Sequence, residues 1–248
     1  MDIRALLFDV NGTLIDIETD DGLEEIYRAI GHFLMYQGIS LHRWEVRDLY
    51  FQLMQQQRAE SAETFAEWNA VEVWREFLRS KASDYTRSLP SEKLEQLPLF
   101  LAELHRGIAR KRLRLYPQVQ ETLDQLCLLY HMAVVTDAQS AYAVPELRAV
   151  GLLHYFNAII VSGDYGYRKP DPRLFQKALD ALKVRPEQAL FFGNDLFHDI
   201  SGAQQVGMKA IFVSYNQGNT SSQTISPDYT ICRFAELPQA VNYFMRLE

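Results

Sequence analysis

Apolar residues along this chain follow two kinds of spacing. Short apolar runs bounded by turn residues occur at ALLF (5–8), MAVVT (132–136), AIIVS (158–162), ALFF (189–192) and AIFVS (210–214). Their unbroken apolar character predicts strands buried on both faces. Segments of helical period lie between most of them, such as PQVQETLDQLCLLY (117–130) and DPRLFQKALDAL (171–182). In the second, Asp171 is placed to cap the helix and Pro172 to fill its first position, where a missing N–H is tolerated. Strand alternating with helix implies an α/β fold with a doubly wound parallel sheet covered on both sides.

Residues 18–112 break this rhythm. They contain no convincing strand, and their apolar residues recur at helical spacing, as in Ile26, Ile30, Phe33 and Leu34 or Val71, Trp74, Phe77 and Leu78. The pattern predicts an all-helical lobe inserted into a core made of residues 1–17 and 113–248, joined by two linkers near Ile17 and Leu113, with lobe motion gating the crevice. All three tryptophans (Trp44, Trp68, Trp74) fall in this lobe, where core packing is the ordinary role of such residues. SLPSEKLEQLP (88–98) reads as a break between two helix pairs, and TDDG (19–22) and QGNTSSQTISPD (217–228) read as loops. No internal repeat or low-complexity tract stands out.

Composition narrows the setting. A chain of 248 residues, 48% hydrophobic and 23% charged, is long enough for one large domain or a core with an insertion. A formal charge of -7 with a pI near 5.4 argues against nucleic acid and against an anionic membrane surface as partners. No window approaches the roughly 18 apolar residues of a membrane span, and no basic stretch followed by an apolar run opens the chain. Cys127 and Cys232 lie far apart in apolar segments without metal or redox spacing, and are expected as buried free thiols. A reducing, cytoplasmic setting follows as the expectation.

In parallel sheets, ligands bind beyond the carboxyl ends of the strands. That rule sorts the polar residues. The stretch FDVNGTLID (8–16) puts Asp9 at the end of the first strand, followed by an Asn11-Gly12 turn and Thr13. Thr136 ends a second strand, Lys169 follows AIIVS, and GNDLFHD (193–199) follows ALFF. Four strand ends would then face one crevice. Such a set suits nucleophilic displacement at a phosphoryl or similar centre, with Asp9 attacking to form a covalent intermediate. Lys169, Thr136 and the amides of the 10–13 turn could meet charge on the transferring group, and the acids of 193–199 could hold a metal by hard oxygen ligands.

In these four segments the chain resembles the haloacid dehalogenase superfamily. The motifs are DVNGT, Thr136 after AVV, RKPDPRLF around Lys169, and GNDLFHDISGAQQVGM, in that order. The resemblance covers nearly the whole chain and implies a Rossmann-like core with a helical cap between the first two motifs. It implies Asp9, Asn11, Thr136 and Lys169 as catalytic positions and Gly12, Thr13 and Asp137 as substrate contacts. It further implies Mg²⁺ held among Asp9, Asn11, Asn194, Asp195 and Asp199, acting on a small phosphorylated molecule. The fourth motif departs from the family at Asn194, where a metal-binding carboxylate is usual; a neutral oxygen there makes a weaker site.

Asn11 is the larger departure. Family phosphatases carry an Asp two residues after the nucleophile, which protonates the leaving group and then activates water. An amide cannot exchange a proton at neutral pH, although the Asn11 backbone carbonyl can still ligate a metal. The dehalogenase branch of the family also lacks that Asp and works without metal. That branch expects Tyr at position 11 and a second Tyr at position 175, where this chain has Asn11 and Phe175, and Ser-Asn where it has Thr136-Asp137. The phosphatase reading therefore ranks first. A dehalogenase-like hydrolase and a non-catalytic binding protein on a degenerate scaffold stay open as alternatives. His198 reads as a helix-start residue, Asp137 equally as a turn residue or a substrate contact, and HRGIARKRLRLYP (105–117) as a solvated helix face leading out of the insertion.

Overall fold

The computed structural model describes residues 1–215 and 224–246. Its centre is a parallel sheet that has six strands among the described residues, in the order β5-β4-β1-β6-β7-β8. The strands are β1 (Ala5–Phe8), β4 (His131–Thr136), β5 (Ala158–Val161), β6 (Ala189–Gly193), β7 (Lys209–Val213) and β8 (Tyr229–Ile231). The five apolar runs of the sequence are thus strands, within a residue at each end. β8 is not among the apolar runs, because three residues with only Ile231 fully buried carry no periodic signal. Most of the 217–228 stretch lies outside the described residues.

Successive strand residues point to opposite faces, so each strand feeds two cores. Leu6, Phe8, Val134, Phe192 and Ile211 pack with α6 (Val119–Leu126) and α10 (Leu237–Met245), and also meet Leu147 of α7 (Ser140–Ala149). Leu7, Val135, Phe191 and Ala210 pack with α8 (Pro172–Leu182) and α9 (Gly202–Gln205). The Asp171 side chain accepts from the Arg173 amide at the start of α8, the expected cap. Chain order runs outward from β1 in both directions, through β4 to β5 and through β6 to β8. The carboxyl end of β1 therefore lies where strand order reverses, the usual place for a ligand crevice.

The inserted lobe is helical: α1 (Glu24–Tyr36), α2 (Arg43–Glu60), α3 (Ala70–Lys81), α4 (Asp84–Arg87) and α5 (Ser91–Ala109). Ile26, Ile30, Leu34, Tyr50, Trp74, Phe77 and Leu101 form its core. Tyr142 of α7 joins that core from the other side, and Arg106 of α5 makes two hydrogen bonds, at 2.7 and 3.1 Å, to the buried carboxylate of Glu146 on α7. Of the tryptophans, Trp74 is fully buried, Trp68 is half-buried at the interface with the sheet domain, and Trp44 lies under the guanidinium groups of Arg43 and Arg47.

Four expectations need correction. The ends of the insertion are strands: β2 (Ile15–Thr19) and β3 (Arg110–Leu115) pair antiparallel, so of residues 105–117 only 105–109 continue the helix α5, and the chain leaves the lobe through a strand. The ribbon was illegible because its exposed side is held by charge, Arg112 and Arg114 both binding Asp16, and too few apolar residues alternate to signal a strand. The break at 88–98 is confined to its start, since α5 begins at Ser91 and carries Pro98 in its interior; buried Leu97 and Leu101 flank it, so packing overrides the proline. PQVQETLDQLCLLY is helical only as far as Leu126, and Leu128 and Leu129 are exposed. Both cysteines are exposed, because Cys127 comes after the last buried turn of α6 and Cys232 after β8. Among the described residues no helix is long and apolar enough to cross a membrane.

His105 of α5 is buried against Tyr50 and Tyr27, and burial pushes its pKa down to about 4, with the Arg106 charge adding to the effect. The unfolded chain binds a proton near pH 6.5 while the folded chain resists it. Stability from this group is therefore complete above pH 6.5 and is lost as pH falls toward 4. Denaturant titrations at pH 7.5 and 4.5 are expected to differ by up to about 3 kcal/mol from this residue, and His105→Phe should remove that share. An unchanged pH slope in the variant would exclude His105 as its source.

Candidate active site

β1 ends at Phe8, and the chain then folds into a tight turn with the amides of Thr13, Leu14 and Ile15 all directed at the Val10 carbonyl. Gly12 sits at φ 85°, a conformation costly for any side chain. The turn delivers the Thr13 hydroxyl to 3.2 Å from Asp9 Oδ2 and 3.3 Å from Asn194 Oδ1. The sequence NGT is thus the covalent means of setting a hydroxyl beside a buried carboxylate.

Lys169 enters from the loop after β5. Its Nζ donates to Asp9 Oδ1 at 2.7 Å, to Asp199 Oδ1 at 2.6 Å and to the Val135 carbonyl at 3.2 Å, which uses all three protons. Its backbone N–H donates to Asp137 Oδ1 at 2.9 Å. The Asp199 Oδ2 accepts from the amides of Asn194 and Asp195, both at 3.0 Å. Gly193 is required at that crossing, since a Cβ there would collide with the Asp199 side chain. Two buried carboxylates therefore share one ammonium.

That arrangement fixes the electrostatics. Burial raises the pKa of Asp9, with the Lys169 charge opposing. Burial likewise raises Asp199, opposed by Lys169 and reinforced by the like charge of Asp9. Burial alone would discharge Lys169, but Asp199, Asp9 and Asp137 outweigh it and hold the ammonium charged well above the usual lysine range. Thr136 ends β4, fully buried, next to the Val135 carbonyl that receives Lys169.

Above this cluster lies a cavity of about 190 Å³ between lobe and sheet domain. Asn11, Asp137, Gln139, Tyr142 and Arg168 line it from the sheet domain, and Asp21, Tyr50, Arg58, Glu67, Trp68 and Arg106 from the lobe and its entry. The sequence-derived set supplies only Asn11 and Asp137 to this wall. The rest lie on three helices and the loops between elements and share no motif; of them the sequence singles out Trp68 and the basic stretch holding Arg106, and reads these as packing and solvated surface, while Arg168 has only its place next to Lys169 as a hint. A short segment pins the lobe here. Gln139 accepts from the Ala70 amide at 2.8 Å and donates to the Trp68 carbonyl at 2.7 Å, and the Arg168 amide donates to the Phe65 carbonyl at 2.9 Å.

For a cation, the donors divide by what else they hold. Both oxygens of Asp199 are engaged by Lys169 and backbone amides, and Asp195 caps the π-helical turn Leu196–Ser201 through the Phe197 and His198 amides, both at 2.8 Å. His198 lies in that turn with its Nδ1 3.2 Å from Asp195. No group of three or more acidic, histidine or cysteine side chains at metal-holding spacing occurs among the described residues. Asp9 Oδ2 and Asn194 Oδ1, which meet at the Thr13 hydroxyl, do converge. These two make a hard-oxygen pair of one formal charge, which fits a divalent cation weakly.

A family profile for haloacid dehalogenase-like hydrolases matches residues 3–207. The phosphoserine phosphatase of Thermus thermophilus is 31% identical over 152 residues, which are 61% of this chain and 58% of that protein, so the match spans little more than half of that relative. Two solved structures share the architecture over nearly their whole length. A 2-haloacid dehalogenase from Pseudomonas syringae is similar at a TM-score of 0.67 and 23% identity, with 98% of this chain and 99% of that one covered. A HAD phosphatase from Thermococcus onnurineus is similar at 0.58 and 25%, with 96% and 98% covered. With Asp9 at the switch point of the sheet, its lysine partner and the inserted helical lobe, the chain belongs to the haloacid dehalogenase-like hydrolase family.

Proposed function

We propose that this chain is a phosphatase acting on a small phosphate monoester, with Asp9 as the nucleophile. The observation that carries the reading is the pair of contacts on Asp9: Lys169 holds Oδ1 firmly at 2.7 Å, while Oδ2 accepts from the Thr13 hydroxyl at a longer 3.2 Å and is the more loosely held oxygen, the one to attack. In the first step Asp9 Oδ2 bonds to phosphorus and the ester oxygen leaves with its bonding electrons, taking a proton from solvent because Asn11 has none to give. Water then attacks the acyl phosphate at phosphorus, releases phosphate and restores the carboxylate. Lys169 and the turn amides hold charge throughout. Magnesium belongs to this proposal, held by Asp9, the Asn11 carbonyl and Asn194, where it would neutralise charge on the phosphoryl oxygens. The name of the similar Thermus protein, a phosphoserine phosphatase, supports the chemistry.

One observation favours a second reading. A cation set with a single carboxylate also suits a site that needs no cation, with Asp9 displacing halide from the carbon of a 2-haloacid. Initial rates on 4-nitrophenyl phosphate and on 2-chloropropionate, each with Mg²⁺ and with a chelator, separate the two. Mg²⁺-dependent phosphate release is expected. Halide release insensitive to chelator, with no phosphate release, would replace the first reading by the second, and no turnover of either would leave a binding protein.

A further inference from the structure

Among the described residues six buried side-chain polar atoms have no hydrogen-bond partner, and three of them line the cavity beside Asn11. These are Arg58 Nε, Arg168 Nε and the Tyr142 hydroxyl. All three are groups able to donate, and two carry positive charge. A buried donor without an acceptor loses its hydration and gains nothing in return, so three around one cavity describe a place prepared for something that accepts.

The neighbouring carboxylates do not meet that need. Arg168 Nε comes no nearer to Asp137 than 3.5 Å, and Arg58 reaches Glu67 with its terminal nitrogen, also at 3.5 Å, leaving Nε unmatched. Glu67 is committed elsewhere, accepting from the Trp68 amide at 3.0 Å and the Ser162 hydroxyl at 2.9 Å, and Asp137 accepts from the Lys169 amide. Tyr142, only 7% exposed, faces Tyr50 without a hydrogen bond of good geometry, and the Arg106 guanidinium over its ring at 5.0 Å holds it in place. Arg106 itself is satisfied by Glu146. Glu67 and Asp137 thus already accept from other donors, and Asp21 stands 3.8 Å from His105 Nδ1, whereas Arg58 Nε, Arg168 Nε and the Tyr142 hydroxyl make no hydrogen bond.

The geometry points to a substrate whose leaving group carries its own anionic group, a carboxylate or a second phosphate, gripped by Arg58, Arg168 and Tyr142. This rests on the phosphatase reading and adds to it the class of ester. One end of the ligand reaches Asp9 past Asn11, and the other closes the cation pair across the interface. The cavity is smaller than the range for drug-sized ligands, so the leaving group is a small organic acid or sugar phosphate rather than a nucleotide or a protein side chain.

Esters that differ only by exchanging a methyl for a carboxylate test this on the intact chain: ethyl phosphate against phosphoglycolate, and isopropyl phosphate against phospholactate. Fructose 1,6-bisphosphate set against fructose 6-phosphate separates a second phosphate from a carboxylate as the source of charge. Wild type is expected to favour the doubly anionic member of at least one pair by about tenfold or more in kcat/KM, mostly through KM. Arg58→Met and Arg168→Met should each pull that ratio toward one, and Arg58→Lys should recover part of it. Equal rates within every pair in wild type overturn the inference while the phosphatase reading stands. A preference that survives both methionine variants also overturns it, because the grip would lie elsewhere. Hydrolysis of none of the esters overturns both.

Discussion

Asp9→Asn is expected to cut phosphate release by roughly 10⁴-fold or more, the scale of removing a covalent nucleophile, while the melting temperature holds or rises. The amide is nearly isosteric and a poor nucleophile. The stability half of the expectation comes from the cluster around Lys169, where Asp9 and Asp199 compete for one ammonium. Removing the Asp9 charge leaves a one-to-one pair of Lys169 with Asp199, which is still fed by the Asn194 and Asp195 amides. No buried charge is stranded, so the usual penalty for breaking a buried ion pair does not arise. Initial rates and thermal unfolding measured on the same preparations check both halves. Retained turnover would remove Asp9 from the mechanism, and a large fall in melting temperature would show that Asp9 serves the fold instead.

Asn11→Asp is expected to raise hydrolysis of esters with poor leaving groups by about 10²- to 10⁴-fold, the usual contribution of a positioned general acid. Asn11 is half-buried and lines the cavity, so a carboxyl there faces the bound ester rather than the protein interior. Activated aryl phosphates leave without protonation and should gain little, so the contrast between ester classes identifies proton transfer as the cause. The alternative chemistry predicts the opposite sign. In a displacement at carbon without a cation, a new carboxylate beside Asp9, whose pKa is already raised by burial, favours protonation of one of the pair, and the rate falls. Rates for alkyl phosphates, aryl phosphates and a 2-haloacid in both forms distinguish these outcomes, and an unchanged rate on alkyl esters would count against the phosphatase reading.

The sequence alone determined the parts of this protein governed by local period. Five apolar runs became strands because both faces of a parallel sheet are buried, so each run is apolar without interruption. The lobe's helices followed from their apolar stripes, and the place of Asp9 and Thr136 at strand ends, and of Lys169 and Asp199 in the segments that follow strands, followed from the strands. The turn at Gly12 and the cap at Asp171 are likewise local chemistry.

Only the tertiary structure decided what depends on residues far apart in the chain. The β2–β3 ribbon is held by pairing across more than ninety residues and by charge on its exposed side, neither of which leaves a period in the sequence. Exposure of Cys127 turned on one residue of helical phase beyond Leu126. Lys169 shares its three protons between Asp9, Asp199 and the Val135 carbonyl, a geometry that motif order does not contain. Arg106 belongs to a basic stretch that reads as a solvated surface, yet the packing of α5 on α7 turns it inward to Glu146. The cavity that would choose the substrate is built from Arg58, Trp68, Tyr142 and Arg168, brought together by the docking of two domains. Side chains selected by that meeting carry no spacing rule, and so the fold and the place of Asp9 at the end of β1 were legible while the cavity wall was not.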